Sequence, residues 1–485
     1  MVTGLLATLH WIIIMFTSVR VIFRKLPIGT SIGWITIVAI MPFFGFVMYI
    51  LIGDQRLGRK RKRHSDIVQN FYERSNDNKP IPGSQSNETL PALLAKTSGF
   101  IAANTGFHPQ NFNAVQLLST PFDMFRSIIE DIDAARHSCF MEFYIIDPNG
   151  RVNDIFEALI SAAGRGVTCR ILADHVGSKL FSRSVWIARL RDAGIEIIDS
   201  LPTGILKSFS TRSDLRNHRK ILIIDGRVAY TGSFNLADPE VFNLSSGVGQ
   251  WVDLLARIEG PTARALNIIW EMDYALDAGN WDRLQQSDSP CTKDHGAGPL
   301  NGSDISVQII PSGPEMKVNV IYETLVAAIY AAQNRVTITT PYLIPDEALH
   351  LALINAAHRN VDVRIIVPKS ADTFMVRHAS RSYYSELLNA DVKIFEFDDG
   401  LLHTKSVLID SEVVYFGTVN LDRRSFYLNL EVTVAVYNRA FCQRIAEIHM
   451  DYLSKSQRIS QVAWQRRPKP RVFLENVMRL ASPLL

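Results

Sequence analysis

Cysteine is scarce in this chain of 485 residues, which has four: Cys139, Cys169, Cys291 and Cys442, none at a paired spacing. That excludes a disulfide-stapled scaffold and a Cys-x-x-Cys zinc site, and it fits reduced, structural thiols in a cytoplasmic domain. No His-Glu-x-x-His is present, and no acids gather around the histidines singled out below, so no metal site is expected. Neither a P-loop nor a glycine-rich nucleotide motif occurs. A mechanism with no cofactor is therefore expected. Charge of one sign is lacking too: 51 Lys and Arg stand against 48 Asp and Glu, a net +3. Proteins that track nucleic-acid phosphates carry a strong positive excess, so no nucleic-acid partner is expected. The first 19 residues hold no Lys or Arg, which leaves out the charged n-region of a cleaved signal peptide.

Long apolar runs are what the N-terminus does have. Residues 5–23 are apolar apart from His10, Arg20 and a few hydroxyls, and 31–52 contain no charge. About twenty residues suffice to cross a hydrocarbon layer of about 30 Å, so 1–55 are expected to form two transmembrane helices in a hairpin. Arg56 and the unbroken run from Arg59 to Arg63 follow. The positive-inside rule puts that run on the cytoplasmic side, and Arg20, Arg24 and Lys25 in the turn oppose it more weakly. A basic linker over 56–95 also suits anionic membrane lipids, and its polar stretch 73–88 reads as a tether. These features place a multi-pass protein in the cell's inner (plasma) membrane with its catalytic part cytoplasmic.

The chemistry is concentrated in one signature written twice. His218-Arg-Lys220 leads through four residues to Asp225 and then to Gly232-Ser233-Phe-Asn235; His403-Thr-Lys405 leads likewise to Asp410 and Gly417-Thr418-Val-Asn420. Both copies read H-x-K-x4-D-x6-G-[ST]-x-N, 185 residues apart. On a strand, residues i and i+2 share a face, so each imidazole lies beside an ammonium, a pairing suited to a phosphate. The aspartates follow their histidines at an odd offset and face the other way, which makes them supports within the catalytic motif. Ser233, Asn235, Thr418 and Asn420 offer donors for phosphate oxygens, and Gly232 and Gly417 permit close backbone approach. Asp253 and Glu431, each inside an apolar segment, are candidates to orient the histidines.

The flanks repeat as well. A helix-period segment near 125–135 runs into a strand ending at Tyr144, and a second near 321–332 into a strand ending at Tyr342. Helices near 154–164 and 347–358 follow, then strands at 167–173 and 361–367. Alternation of this kind predicts an α/β domain in each half, over 96–284 and 305–485. The Ser-, Gly- and Pro-rich 285–304 is the linker. The C-terminal stretch from Arg466 mixes basic and apolar residues and suits an amphipathic surface helix.

The duplicated signature resembles the phospholipase D superfamily, whose two HKD motifs build one active site. Gly247-Val-Gly-Gln-Trp-Val-Asp253-Leu, Thr340-Pro-Tyr-Leu-Ile-Pro, His378-Ala-Ser-Arg-Ser-Tyr-Tyr and the run from Gly400 to Glu431 are similar to bacterial cardiolipin synthases in particular. The resemblance implies two pseudo-symmetric α/β halves forming one site behind the transmembrane hairpin. It also implies Asp253 paired with His218 and Glu431 with His403. The expected reaction joins two phosphatidylglycerols into cardiolipin and glycerol through a phosphatidyl-histidine on His218, with His403 as acid and then base. Lys220, Lys405, Asn235 and Asn420 would stabilise the transition state. A hydrolytic phospholipase D and a phosphatidyltransferase with another donor or acceptor share every one of these residues, and an HKD nuclease is a more distant alternative. The motifs do not say which histidine attacks, and the sequence is silent on oligomeric state.

Overall fold

The computed structural model describes residues 2–24, 28–53, 92–202, 214–279, 305–316, 318–371 and 373–480. The basic run 59–63, the tether, the 285–304 linker and Cys291 lie outside the described residues.

Two compact units result, one of which holds the N-terminal helices. In it, α1 (Val2–Phe23) is followed by α2 (Ile28–Ile40) and α3 (Pro42–Met48), ending in a π-helical turn at Tyr49–Gly53. Val21, Trp34 and Tyr49 pack together where α1, α2 and the turn meet. The second apolar run is not one helix. Pro42 disfavours the helical conformation at the residue before it, and Met41 leaves the helix at φ −131°, ψ 71°. At 1.5 Å per residue, the 13-residue α2 reaches only about 20 Å. Among the described residues no helix is long and apolar enough to cross a membrane, so the expected transmembrane pair is not seen as such.

The other unit holds 66–202 and 216–485 and repeats one α/β plan twice. The first half supplies β1 (Gln110–Leu118), β2 (Ser138–Phe143), β3 (Thr168–Asp174), β4 (Glu196–Ser200), β5 (Lys220–Ile224), β6 (Val228–Gly232), β7 (Trp251–Val252) and β8 (Leu255–Glu259). The second supplies β9 (Ile305–Ser312), β10 (Arg335–Thr339), β11 (Asp362–Pro368), β12 (Lys393–Phe397), β13 (Leu401–Leu402), β14 (Ser406–Ile409), β15 (Val413–Gly417), β16 (Glu431–Tyr437) and β17 (Ser456–Arg458). Fifteen of these form one sheet, in the order β17-β12-β11-β10-β14-β15-β16-β9-β1-β8-β6-β5-β2-β3-β4. Read outward from the central β1–β9 pair, the two halves run through equivalent strands in the same sequence, a pseudo-two-fold arrangement. The separate pair β7–β13 links the halves a second time. The helices Pro121–Ala134, Val152–Gly164, Val320–Ala331 and Glu347–His358 fall where the periodicity puts them.

The signature strands read as continuous apolar runs because both faces are covered. In β5, Leu222 and Ile224 enter the first half's own core, while Ile221 and Ile223 enter a second core behind the sheet. In β14, Val407 and Ile409 enter the second half's core and Leu408 joins Ile221 and Ile223. That rear core is shared by the halves under the helices Pro261–Ala278 and Arg439–Ser454. The shared core makes the two repeats one unit. Cys139, Cys169 and Cys442 are free and buried, as expected of structural thiols.

Candidate active site

His218 and Lys220 lie at the start of β5, opposite Phe143 at the carboxyl end of β2. His403 and Lys405 occupy the equivalent place ahead of β14, beside the carboxyl end of β10. What sets the histidines is backbone from the opposite half. The His218 N–H donates to the Leu430 carbonyl at 2.9 Å, and the His403 N–H donates to the Val252 carbonyl at 2.9 Å. Leu430 and Val252 immediately precede Glu431 and Asp253. The carboxylates therefore cross over: His218 Nδ1 is 2.9 Å from Glu431 Oε2, and His403 Nδ1 is 2.6 Å from Asp253 Oδ1. The pairing expected within each half is reversed. The cause is the inter-half pairing of β7 with β13 and of Asn217 with Leu430. Each half completes the other's histidine, so neither repeat holds a whole site.

Both histidines are buried, at 8% and 3% exposure. Burial, with the push of Lys220 and Lys405, lowers His218 to about 4 against the pull of Glu431. Burial and both lysines lower His403 to about 3 against Asp253. The imidazoles are therefore neutral at pH 7, and a carboxylate on Nδ1–H leaves the Nε2 lone pair free. Burial also lowers Lys220 to about 8 and Lys405 to about 7, although Glu431 and Asp253 pull both up. Burial works against the Asp253 carboxylate, but His403 and Lys405 still hold it below its ordinary value. Each ammonium donates to the carbonyl of its own histidine, at 2.8 and 2.6 Å. Two desolvated amines that burial makes reluctant to hold their protons, beside two neutral imidazoles, make a site that gains most from a bound anion.

The remaining motif residues divide. Asp225 takes the backbone N–H groups of Arg136, His137 and Ser138 at 2.7–2.9 Å. Asp410 does the same for Gln333, Asn334 and Arg335 at 2.7–2.8 Å. Both sit in left-handed turns, at φ +52°, at the far end of their strands from the histidines. They anchor the start of β2 and β10 and take no direct part in the site. Asp410→Ala removes three charge-assisted bonds and puts alanine at positive φ, a loss of about 2–3 kcal/mol. We expect its melting temperature to fall by about 5 °C, read by thermal denaturation of the purified chain.

Ser233 and Thr418, expected on phosphate, are turned instead to the carboxylates. Thr418 Oγ1 donates to Glu431 Oε2 at 2.5 Å and accepts from the Val432 N–H at 3.0 Å. Ser233 Oγ accepts from the Leu254 N–H at 2.9 Å and helps to hold Asp253 ionised. The preceding glycines permit this: a Cβ on Gly232 would lie 2.3 Å from the Leu254 carbonyl, and one on Gly417 2.4 Å from that of Val432. Their close approach is to the neighbouring strand. Asn235 accepts from the Ile145 N–H at 3.3 Å. Its Nδ2 is buried with no partner among the described residues and remains a free donor, whereas the unpartnered atom of Asn420 is Oδ1, an acceptor, its side chain being bonded to Asp422.

Several site residues escaped the sequence reading. The Tyr144 ring lies 4.9 Å from that of His218 and the Trp251 ring 4.3 Å from that of His403. The i, i+2 rule applied to Asp253 would have found Trp251. Tyr144 does not match Tyr342: strand register aligns Met141 with Ile338 and hence Tyr144 with Pro341. The residue between histidine and lysine also matters. Arg219, turned to the rear, is buried against Asp273 and donates to the Glu431 carbonyl at 3.1 Å. Thr404, its counterpart, meets the Tyr452 hydroxyl at 3.1 Å. Beside Arg219, burial and Asp273 push Glu142 well above the carboxylate range, and Glu142 Oε1 accepts from Asn217 Nδ2 at 2.6 Å.

Comparison with known proteins finds the same duplication. The family described as "Cardiolipin synthase, PLD-like domain" matches residues 128–246 and 325–451, the two repeats. Cardiolipin synthase A of Yersinia pseudotuberculosis serotype O:1b (strain IP 31758) is 37% identical over 483 residues, covering 98% of this chain and 97% of its own. Cardiolipin synthase A of Yersinia pestis matches to the same extent, 37% over 483 residues. Among solved structures, the phosphatidylserine synthase of Haemophilus influenzae Rd KW20 shares the fold, at TM-score 0.59 and 13% identity, over 80% of this chain and 100% of that one.

Proposed function

This chain belongs to the cardiolipin synthases built on phospholipase D-like domains, and we propose that it converts two phosphatidylglycerols into cardiolipin and glycerol. The observation that carries this is the pair of crossed histidine–carboxylate dyads with two buried lysines between them. An arriving phosphodiester supplies the negative charge that the lysines lack and favours a proton on His403 Nε2, with Asp253 on the other ring nitrogen. His218 Nε2 attacks phosphorus, and His403 protonates the departing glycerol oxygen. A phosphatidyl-histidine remains. His403, now neutral, takes the proton of the second lipid's hydroxyl as that oxygen displaces His218. Lys220, Lys405 and the free amide donor of Asn235 stabilise the pentacoordinate phosphorus. One phosphodiester is exchanged for another, so the residues need no nucleotide to drive the step.

The N-terminal unit is the membrane anchor in this proposal, a hairpin lodged in the inner membrane with the catalytic unit on the cytoplasmic side. What supports it is the apolar exterior of its helices, with Trp11, Met15, Ile22, Ile28, Ile32, Ile40 and Phe44 all exposed, and the basic run that follows. One preparation tests both parts. Membranes carrying the chain are washed with alkaline carbonate, then supplied with phosphatidylglycerol, and the products are read by mass spectrometry. Cardiolipin and glycerol in equal amounts, formed by the washed membranes, are expected. Protein released by the wash would overturn the anchor, and phosphatidic acid as the main product would make water the acceptor and overturn the transfer.

A further inference from the structure

The two histidines stand in motifs of identical spacing, yet their surroundings differ. Tyr144 covers His218 and also faces the Lys220 ammonium, 5.6 Å from the ring centre. His403 is covered by Trp251, contributed by the other half. At the equivalent place two residues before Glu431 stands Asn429, whose amide donates to Glu431 Oε1 at 3.2 Å. Trp251 has no such engagement. It is 8% exposed, and its Nε1–H is buried with no partner among the described residues. A buried donor left without an acceptor is costly, and buried indoles ordinarily find one. The ring is also held in place: Phe242 meets it edge-on at 5.1 Å, Val248 and Leu401 pack with it, and its backbone pairs with Leu401, two residues before His403.

We propose that Trp251 forms the subsite for the acceptor alcohol, its ring closing one side of His403 to water and its Nε1–H holding a second hydroxyl of the acceptor's glycerol headgroup. The inference rests on the transfer reading above and names the group that selects the acceptor. In the second step the terminal hydroxyl oxygen of that headgroup attacks phosphorus, and its proton passes to His403 Nε2. The bond from phosphorus to His218 Nε2 breaks, and its electron pair returns to the imidazole. A vicinal diol spans His403 and the indole N–H in one molecule. A water molecule offers a single oxygen and cannot do both, so the subsite favours the polyol over the solvent.

The test is Trp251→Phe in the full chain, in detergent–phosphatidylglycerol micelles, read as the ratio of cardiolipin to phosphatidic acid. Phenylalanine keeps a ring and removes the N–H. The ratio is expected to fall about tenfold, the equivalent of about 1.4 kcal/mol, whatever the change in total turnover. A merely structural role would depress both products together, and an unchanged ratio overturns the proposal. Phe242→Leu loosens the same ring and is expected to lower the ratio in the same direction by a smaller factor. If Trp251→Phe does not fold, an unchanged ratio in Phe242→Leu overturns the proposal alone. Failure of the transfer reading itself would show earlier, as a wild-type chain that yields only phosphatidic acid.

Discussion

Replacing either His218 or His403 with alanine is expected to lower cardiolipin formation by about 10⁴-fold or more, and the double replacement to be no worse than the single ones. The reason is the architecture. Each histidine is oriented by a carboxylate and a backbone carbonyl of the opposite half, so the chain has one site with two halves and no spare. Non-additivity follows when residues serve the same bond-making sequence. The two losses nevertheless differ in kind. Glycerol leaves phosphorus poorly without a proton, whereas p-nitrophenol leaves without one. With phosphatidyl-p-nitrophenol as donor, His403→Ala is expected to release a burst of p-nitrophenol equal to the enzyme present, because His218 still attacks. His218→Ala is expected to release none. A burst from His218→Ala instead would exchange the roles of the two histidines, and bursts from both would show that neither is the sole nucleophile.

Much of this site is written locally and could be read there. The duplicated motif, the helix–strand alternation around it and the supporting role of Asp225 and Asp410 all follow from short-range spacing. The aspartates do face away from the histidines, as the odd offset implies, although each sits in the left-handed turn just past the end of its strand. What could not be read is set by contacts between distant segments. Asp253 lies nearer His218 in the chain and nearer His403 in space, because β7 adds to β13 of the other half. Nothing within a 35-residue window records that pairing. Ser233 and Thr418 carry the right chemistry for phosphate, but the close approach permitted by Gly232 and Gly417 brings the neighbouring strand to them first. The chemistry of Trp251 is not legible from its own segment, since its neighbour His403 is 152 positions away. The break in the second apolar run was legible in principle. Composition averaged over 31–52 hides it, while the single residue Pro42 dictates it.

Glu431→Gln and Asp253→Asn are the sharpest test of the crossed dyads, and each is expected to lower cardiolipin formation by about 10²–10⁴-fold. The amides keep the size of the side chain and can still accept from Nδ1–H, but they remove the charge that favours an imidazolium. For His403, the charge of Asp253 and its hydrogen bond both raise the affinity for a proton. Without the charge that affinity falls further, His403 keeps its proton only at lower pH, and the alkaline decline of the acid-dependent step moves to lower pH in Asp253→Asn. The p-nitrophenyl donor then tells the two pairings apart. Because Asp253 serves His403, Asp253→Asn should behave as His403→Ala does and release p-nitrophenol at close to the wild-type burst. Glu431 serves His218, the attacking residue, so Glu431→Gln should remain slow with either donor. Pairing within each half would reverse both results, with Asp253→Asn slow on the activated donor and Glu431→Gln rescued by it.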